Sequence, residues 1–106
     1  MEGTERLARM IAGEILMSND PGGTMKKWRE VFNISQSEIA KEMGISPSTV
    51  SDYESNRRES PGIKVVKRFI ETLMKIDRER GYPIMNKLIV RESSEDAFET
   101  HNFSTI

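Results

Sequence analysis

Cysteine is absent from the chain, and histidine and tryptophan occur once each. Without thiols the protein can form neither a disulfide nor a thiolate metal site, a composition that fits a reducing compartment. The single histidine, His101, stands among polar and acidic residues near the C-terminal end, where a tail residue is expected rather than a general base or metal ligand. No apolar run approaches the ~18–20 residues needed to span a bilayer, and the opening MEGTERLARM lacks the basic-then-apolar order of a signal peptide. Also missing are a glycine-rich phosphate loop after a strand, a nucleophile elbow and carboxylates at metal-ligand spacing. These absences predict a soluble, cytoplasmic protein that is not an enzyme and uses no cofactor, metal or membrane. Its 106 residues suffice for one modest core.

The net charge of -1 argues superficially against a polyanionic partner, but the charge is unevenly placed. Residues 1–23 carry two basic and four acidic groups, as do residues 81–106, whereas residues 24–80 carry twelve basic and nine acidic groups. A basic middle flanked by acidic ends predicts a local positive face, which phosphate binding requires.

Within that middle, ISQSEIAKEMGISPSTVSDY (Ile34 to Tyr53) reads as a helix-turn-helix. From Gln36, Ala40 follows four residues on, Gly44 four after that, Val50 six later and Tyr53 three beyond. Two helices crossing steeply through a short turn need a small residue where their backbones approach, which Ala40 supplies. They also need a residue that tolerates positive φ in the turn, which Gly44 supplies. Ile39, Met43, Ile45, Val50 and Tyr53 fall on the inner faces. Ser35 with Glu38 forms a capping box, and Ser46 before Pro47 is an N-cap with proline in the first turn.

Around this motif the chain divides into an N-terminal helix and turn (1–23), a helix-turn-helix domain (24–80) and a C-terminal extension (81–106), partly disordered or dimerising. Leu7, Met10, Ile11, Ile15 and Leu16 predict an amphipathic helix over 4–17, and SNDPGG (18–23) predicts a break. Thr24 is the expected N-cap of the next helix, with Met25, Trp28, Val31 and Phe32 on one face up to Asn33. Asn56 is placed for a left-handed residue ending the second motif helix. Ser60 and Pro61 are expected to open a helix running to Arg80, long enough for its far end to leave the small domain, with Gly81 closing it. Residues 82–90, YPIMNKLIV, suit a strand or, preferably, a short helix, and residues 91–106 are expected to be disordered or loosely packed.

The stretch from Trp28 to about Met74 resembles the helix-turn-helix family of phage repressors, Cro proteins and xenobiotic-response-element-type regulators. The resemblance is carried by Arg29, Ser35, Gln36, Ile39, Ala40, Gly44, Ser46, Val50, Ser51, Tyr53, Glu54, Arg57 and Pro61. Residues 11–80 are also similar to archaeal predicted transcription regulators, a group of longer proteins, of which this would be a short relative or a piece. The resemblance implies an all-α fold: a compact, lambda-repressor-like bundle of about five helices with a central helix-turn-helix.

It implies double-stranded DNA as partner, with Gln36 on a phosphate, helped by its helix N-terminus. Pro47, Ser48, Thr49 and Asp52 would face the major groove, with Ser46 at the edge. Arg29 and Glu54 would pair beneath the recognition helix, with Arg29 also near phosphates. Arg57 and Arg58 and, more weakly, Lys26, Lys27 and Lys64 would contact the DNA backbone. The base-facing side chains are short or acidic where better-known repressors carry long donors, so base readout should be sparse and DNA shape should carry specificity. The expected role is a transcription regulator, a repressor acting as a homodimer. The alternative is a bridging coactivator that works through protein contacts with the transcription machinery. Apolar surface on the first helix, around Leu73 and Ile76, and in 84–90 is the expected material for dimerisation.

Overall fold

The computed structural model of the chain describes residues 2–89. They form α1 (Glu2–Leu16), α2 (Pro21–Val31), α3 (Gln36–Met43), α4 (Pro47–Glu54) and α5 (Ile63–Glu79), followed by a helix over residues 83–89, α6. The all-α bundle around a central helix-turn-helix agrees with the sequence pattern. Expectations for residues 91–106, His101 included, lie outside the described residues.

One apolar cluster holds the helices together. Ile11, Ile15, Phe32, Ile39, Val66 and Leu73 are each fully buried within it, and Phe69 and Met85 almost so. Burying each such side chain stabilises the fold by about 1.5–3 kcal/mol against leaving it in water. From α1 the cluster takes Leu7, Ile11 and Ile15, whereas Met10 and Leu16 stay 45% exposed. The buried stripe therefore recurs every fourth residue and is narrower than the sequence suggests.

The helix ends show why these segments are helical, and two differ from expectation. Asp20, not Thr24, caps α2: its carboxylate accepts from the Gly23 N–H at 2.9 Å, and Pro21 occupies the first turn. Proline costs nothing there because that N–H has no partner in a helix, so the Asp-Pro pair read as a break is a start. Thr24 instead donates its hydroxyl to the Asp20 carbonyl at 2.9 Å. α5 begins at Ile63 with Gly62 as N-cap and no side-chain cap; Val66 N–H reaches the Gly62 carbonyl at 3.0 Å, placing Ser60 and Pro61 before the helix. At α3 the capping box of Ser35 and Glu38 is present, and Gly44 ends the helix at φ 71. Ser46 caps α4 through the Thr49 N–H, and Asn56 follows that helix at φ 61.

The far end of α5 does not leave the domain. Leu73, Ile76 and Asp77 are buried there, α6 folds back over them, and Asp77 accepts from the N–H groups of Ile84 (3.2 Å) and Met85 (2.9 Å). A carboxylate at a helix N-terminus satisfies two orphan donors and meets the positive end of the helix dipole, which makes its burial tolerable. Arg80 turns the other way, donating to the Asn33 carbonyl at 3.0 Å and pairing with Glu38, so it covers the C-terminal carbonyls of α2. Leu73, Ile76 and Met85 thus belong to the interior, so the apolar surface expected around Leu73 and Ile76 is used within one chain, whereas Met10 and Leu16 of α1 stay outward. Among the described residues no helix is long and apolar enough to cross a membrane.

Candidate nucleic-acid interface

The helix-turn-helix is built on a buried polar network. Arg29, from the last turn of α2, is 8% exposed and grips Glu54, 7% exposed, with two bonds: Nε to Oε2 at 2.7 Å and Nη2 to Oε1 at 3.0 Å. Its Nη1 donates to the Ile34 carbonyl at 2.8 Å, just ahead of α3. Gln36, the first residue of α3, donates from Nε2 to Glu54 Oε1 at 2.9 Å. One carboxylate at the end of α4 therefore ties α2, the α2–α3 turn and the start of α3 together. Its hydrogen bonds to Arg29 hold that guanidinium's pKa above the usual arginine value.

The pair expected of Arg29 and Glu54 beneath the recognition helix is therefore present and buried. Arg29 is committed to Glu54 and Ile34, which leaves it little surface for a second role near phosphates. Gln36 remains half-buried at the α3 N-terminus, with one amide hydrogen engaged by Glu54 and the other available to an outside acceptor.

The opposite face of α4 is open. Ser46, Pro47 and Ser48 are exposed, and Thr49, Ser51 and Asp52 are half-buried. The hydroxyls of Ser46 and Thr49 lie 2.9 Å apart, and the Thr49 N–H donates to Ser46 Oγ at 3.1 Å. These side chains carry single hydroxyls and one carboxylate, so they can accept from or donate to a base edge but cannot clamp one with a bidentate fork.

Past α4 the chain turns through Ser55 and Asn56 into Arg57 and Arg58, both exposed. Their N–H groups return to the Asp52 carbonyl at 2.9 and 3.3 Å, which holds the pair against the helix end. Arg57 Nε donates to Ser55 Oγ at 3.0 Å, with Asp52 at 3.9 Å, and the Arg58 guanidinium lies over the Tyr53 ring at 5.3 Å. Neither cation is buried against a carboxylate, so both can meet an external anion.

Lys26 is exposed on α2, without an ion pair to these groups among the described residues, whereas Lys27 pairs with Glu14 and lies over Trp28. Trp28 and Phe32 are core residues. Lys64 stands on α5 beside Lys67 and Arg68, along a cleft floored by Met43, Ile45, Tyr53 and Val65. Two expected inner-face residues, Ile45 and Tyr53, are half-buried because they line this cleft. Lys67 and Arg68 were not anticipated, since their spacing on a long amphipathic helix reads as a solvated face. Among the described residues no group of three or more His, Cys, Asp or Glu could hold a metal ion.

Comparison with known proteins gives this geometry its context. The family profile described as Helix-turn-helix matches residues 25–74. An uncharacterized HTH-type transcriptional regulator of Archaeoglobus fulgidus is 47% identical over 81 residues, 76% of this chain and 35% of that protein. Another, from Methanocaldococcus jannaschii, is 44% identical over 77 residues, 73% of this chain and 32% of that protein. The chain thus spans about a third of the length of these curated relatives. No solved structure matches it. Over residues 25–74, which hold the capping box, the left-handed Gly44 and the Arg29–Glu54 pair, this chain belongs to the helix-turn-helix family.

Proposed function

We propose that the chain binds double-stranded DNA and regulates transcription, as a repressor, with α4 in the major groove. The observation that carries this reading is the arrangement of α4: its last turn is anchored inside through Glu54, while its Ser46–Asp52 face is left outward. Gln36 and the N-terminus of α3 supply a phosphate contact on one side, and Arg57 and Arg58 supply others past the opposite end, with Lys26 as a further backbone contact. Base readout through Pro47, Ser48, Thr49 and Asp52 is sparse, so DNA shape and phosphate contacts dominate affinity. Such a role places the protein in the cytoplasm.

Duplex sites in this mode present half-sites about one helical turn apart, which favours a homodimer. With Leu73, Ile76 and Met85 interior, self-association within residues 2–89 falls to exposed apolar residues such as Leu16, Met17 and Val31. Sedimentation showing only monomer at tens of micromolar would remove that part of the reading.

The second reading is a bridging coactivator. It is favoured by the short α4 side chains and by the cleft between the motif and α5, a surface suited to protein contact. Electrophoretic mobility shift with a duplex from the protein's own promoter region, at two salt concentrations, separates the two. The DNA reading expects a shifted band that weakens with salt; no shift at low salt leaves the bridging role.

A further inference from the structure

The end of α4 is held from a second side by residues outside the Arg29–Glu54 network. Asn56 sits in the left-handed region at φ 61, so its side chain turns back towards α2. Its Oδ1 accepts from the Gly22 N–H at 2.9 Å, and its Nδ2 donates to Asp20 Oδ1 at 2.5 Å. The same Asp20 oxygen accepts from the Gly23 N–H at 2.9 Å. Asp20 therefore caps α2 and grips the residue that ends α4.

Gly22 permits this close approach. A Cβ at that position would lie 2.1 Å from the Tyr53 carbonyl oxygen, 2.6 Å from Asn56 Oδ1 and 2.9 Å from the Glu54 carbonyl oxygen. Two of those three atoms are backbone and cannot swing aside. The positive N-terminus of α2 thus abuts the last carbonyls of α4, an arrangement favourable for both helix dipoles. The next residues along the chain are Arg57 and Arg58.

We propose that Asp20, Gly22 and Asn56 form a latch that positions Arg57 and Arg58 for phosphate contact by fixing where the chain leaves α4. This rests on the DNA reading above. Asp20 and Asn56 are exposed, so the latch adds little to the core; its effect is on direction. A backbone released at Asn56 lets two long cations sample positions away from the phosphates, and each lost contact removes about one unit of salt dependence.

The sign of the Asp20 effect makes the latch testable. If Asp20 acted only as a surface charge, removing it would tighten binding to a polyanion. The latch requires the opposite for Asp20→Ala, which loses the acceptor. Asp20→Asn keeps an oxygen for Asn56 and Gly23 and is the conservative rescue. Asn56→Gly keeps the left-handed backbone at no steric cost and removes only the side-chain bonds.

The experiment is a titration of these variants against the promoter duplex between about 50 and 200 mM salt, with thermal melts in parallel. Expected are roughly tenfold weaker binding and a salt slope shallower by about one unit for Asp20→Ala and Asn56→Gly, parental or tighter binding for Asp20→Asn, and melting midpoints within about 5 °C of the parent. A parent that binds while Asp20→Ala binds as tightly or tighter, with its slope unchanged, overturns the latch alone. Weakened binding that tracks a collapse in melting midpoint assigns these residues to folding and overturns it as well. A parent that does not bind the duplex overturns both the latch and the DNA reading.

Discussion

Glu54 is the residue on which most of the motif's geometry converges. It takes two donors from Arg29 and one from Gln36 at 3% side-chain exposure, so its charge is compensated only while those partners stay. A buried ion pair is not strong evidence of net stabilisation, because desolvation offsets the attraction, but removing one partner leaves a buried uncompensated charge. Arg29→Met should therefore lower unfolding free energy by about 3–5 kcal/mol in urea titration, and adding Glu54→Leu should recover much of that loss. Equal stability of the single and parental proteins would contradict the network. The pairing of Arg29 with Glu54 was implied by the resemblance to helix-turn-helix repressors, whereas its depth depends on α2 and α3 closing over both residues.

Exposed carboxylates set the pH response. Hydrogen bonding from the Asn56 side chain lowers the Asp20 pKa, the Ser35 N–H lowers that of Glu38, and Lys75 lowers that of Glu42. A depressed native pKa means stability that is complete above the ordinary values of 3.8 and 4.5 and is lost as pH falls through the native values. Thermal midpoints should therefore be flat between about pH 5 and 7 and fall below about pH 4.5, and Glu38→Gln should make that acid limb shallower. An unchanged limb in the variant would show that Glu38 does not contribute to it.

Helix ends decide how well the elements were legible. The caps made by Ser35, Glu38 and Ser46 and the left-handed backbone at Gly44 and Asn56 depend on neighbours within a few residues, so those roles can be read locally. The start of α2 was misread because Asp20-Pro21 fits a helix start and a turn equally well, and the two glycines that follow, Gly22 and Gly23, favour the turn. What makes Gly22 necessary is the α4 backbone, more than thirty residues away along the chain. The latch had one local sign, the density of small residues in DPGG, and nothing in the sequence connects it to Asn56. Gly44 separates conformational from steric cost. A Cβ there meets only Arg68 Nη2 at 3.8 Å, an ordinary contact, so Gly44→Ala should lose about 1–2 kcal/mol through its positive φ alone. Gly44→Asn should lose less, because asparagine tolerates the left-handed region. Equal losses for both in thermal melts would point to crowding instead.

For the molecule as a whole, α1 is part of the same core as the motif. Leu7, Ile11 and Ile15 join Phe69, Leu73 and Met85 in one cluster, and Ile11 is fully buried. Ile11→Ala should cost about 2–5 kcal/mol by chemical denaturation, although it lies outside residues 25–74. A cost within about 0.5 kcal/mol, typical of surface sites, would show α1 to be an appendage. The periodicity of α1 was legible, but which side it buries is settled by α5 and α2, which pack against it.

That core presents a rigid motif whose outward side chains are short and whose cations flank them, so phosphate contacts should dominate binding. The most direct measurement is the salt dependence of duplex affinity for the parent, Arg57→Ala and Ser48→Ala. The account predicts a parental affinity that falls steeply with salt, a slope shallower by about one unit for Arg57→Ala, and little change in slope or site selection for Ser48→Ala. No duplex binding by the parent at low salt, or strongly relaxed selection in Ser48→Ala with Arg57→Ala unaffected, would contradict it.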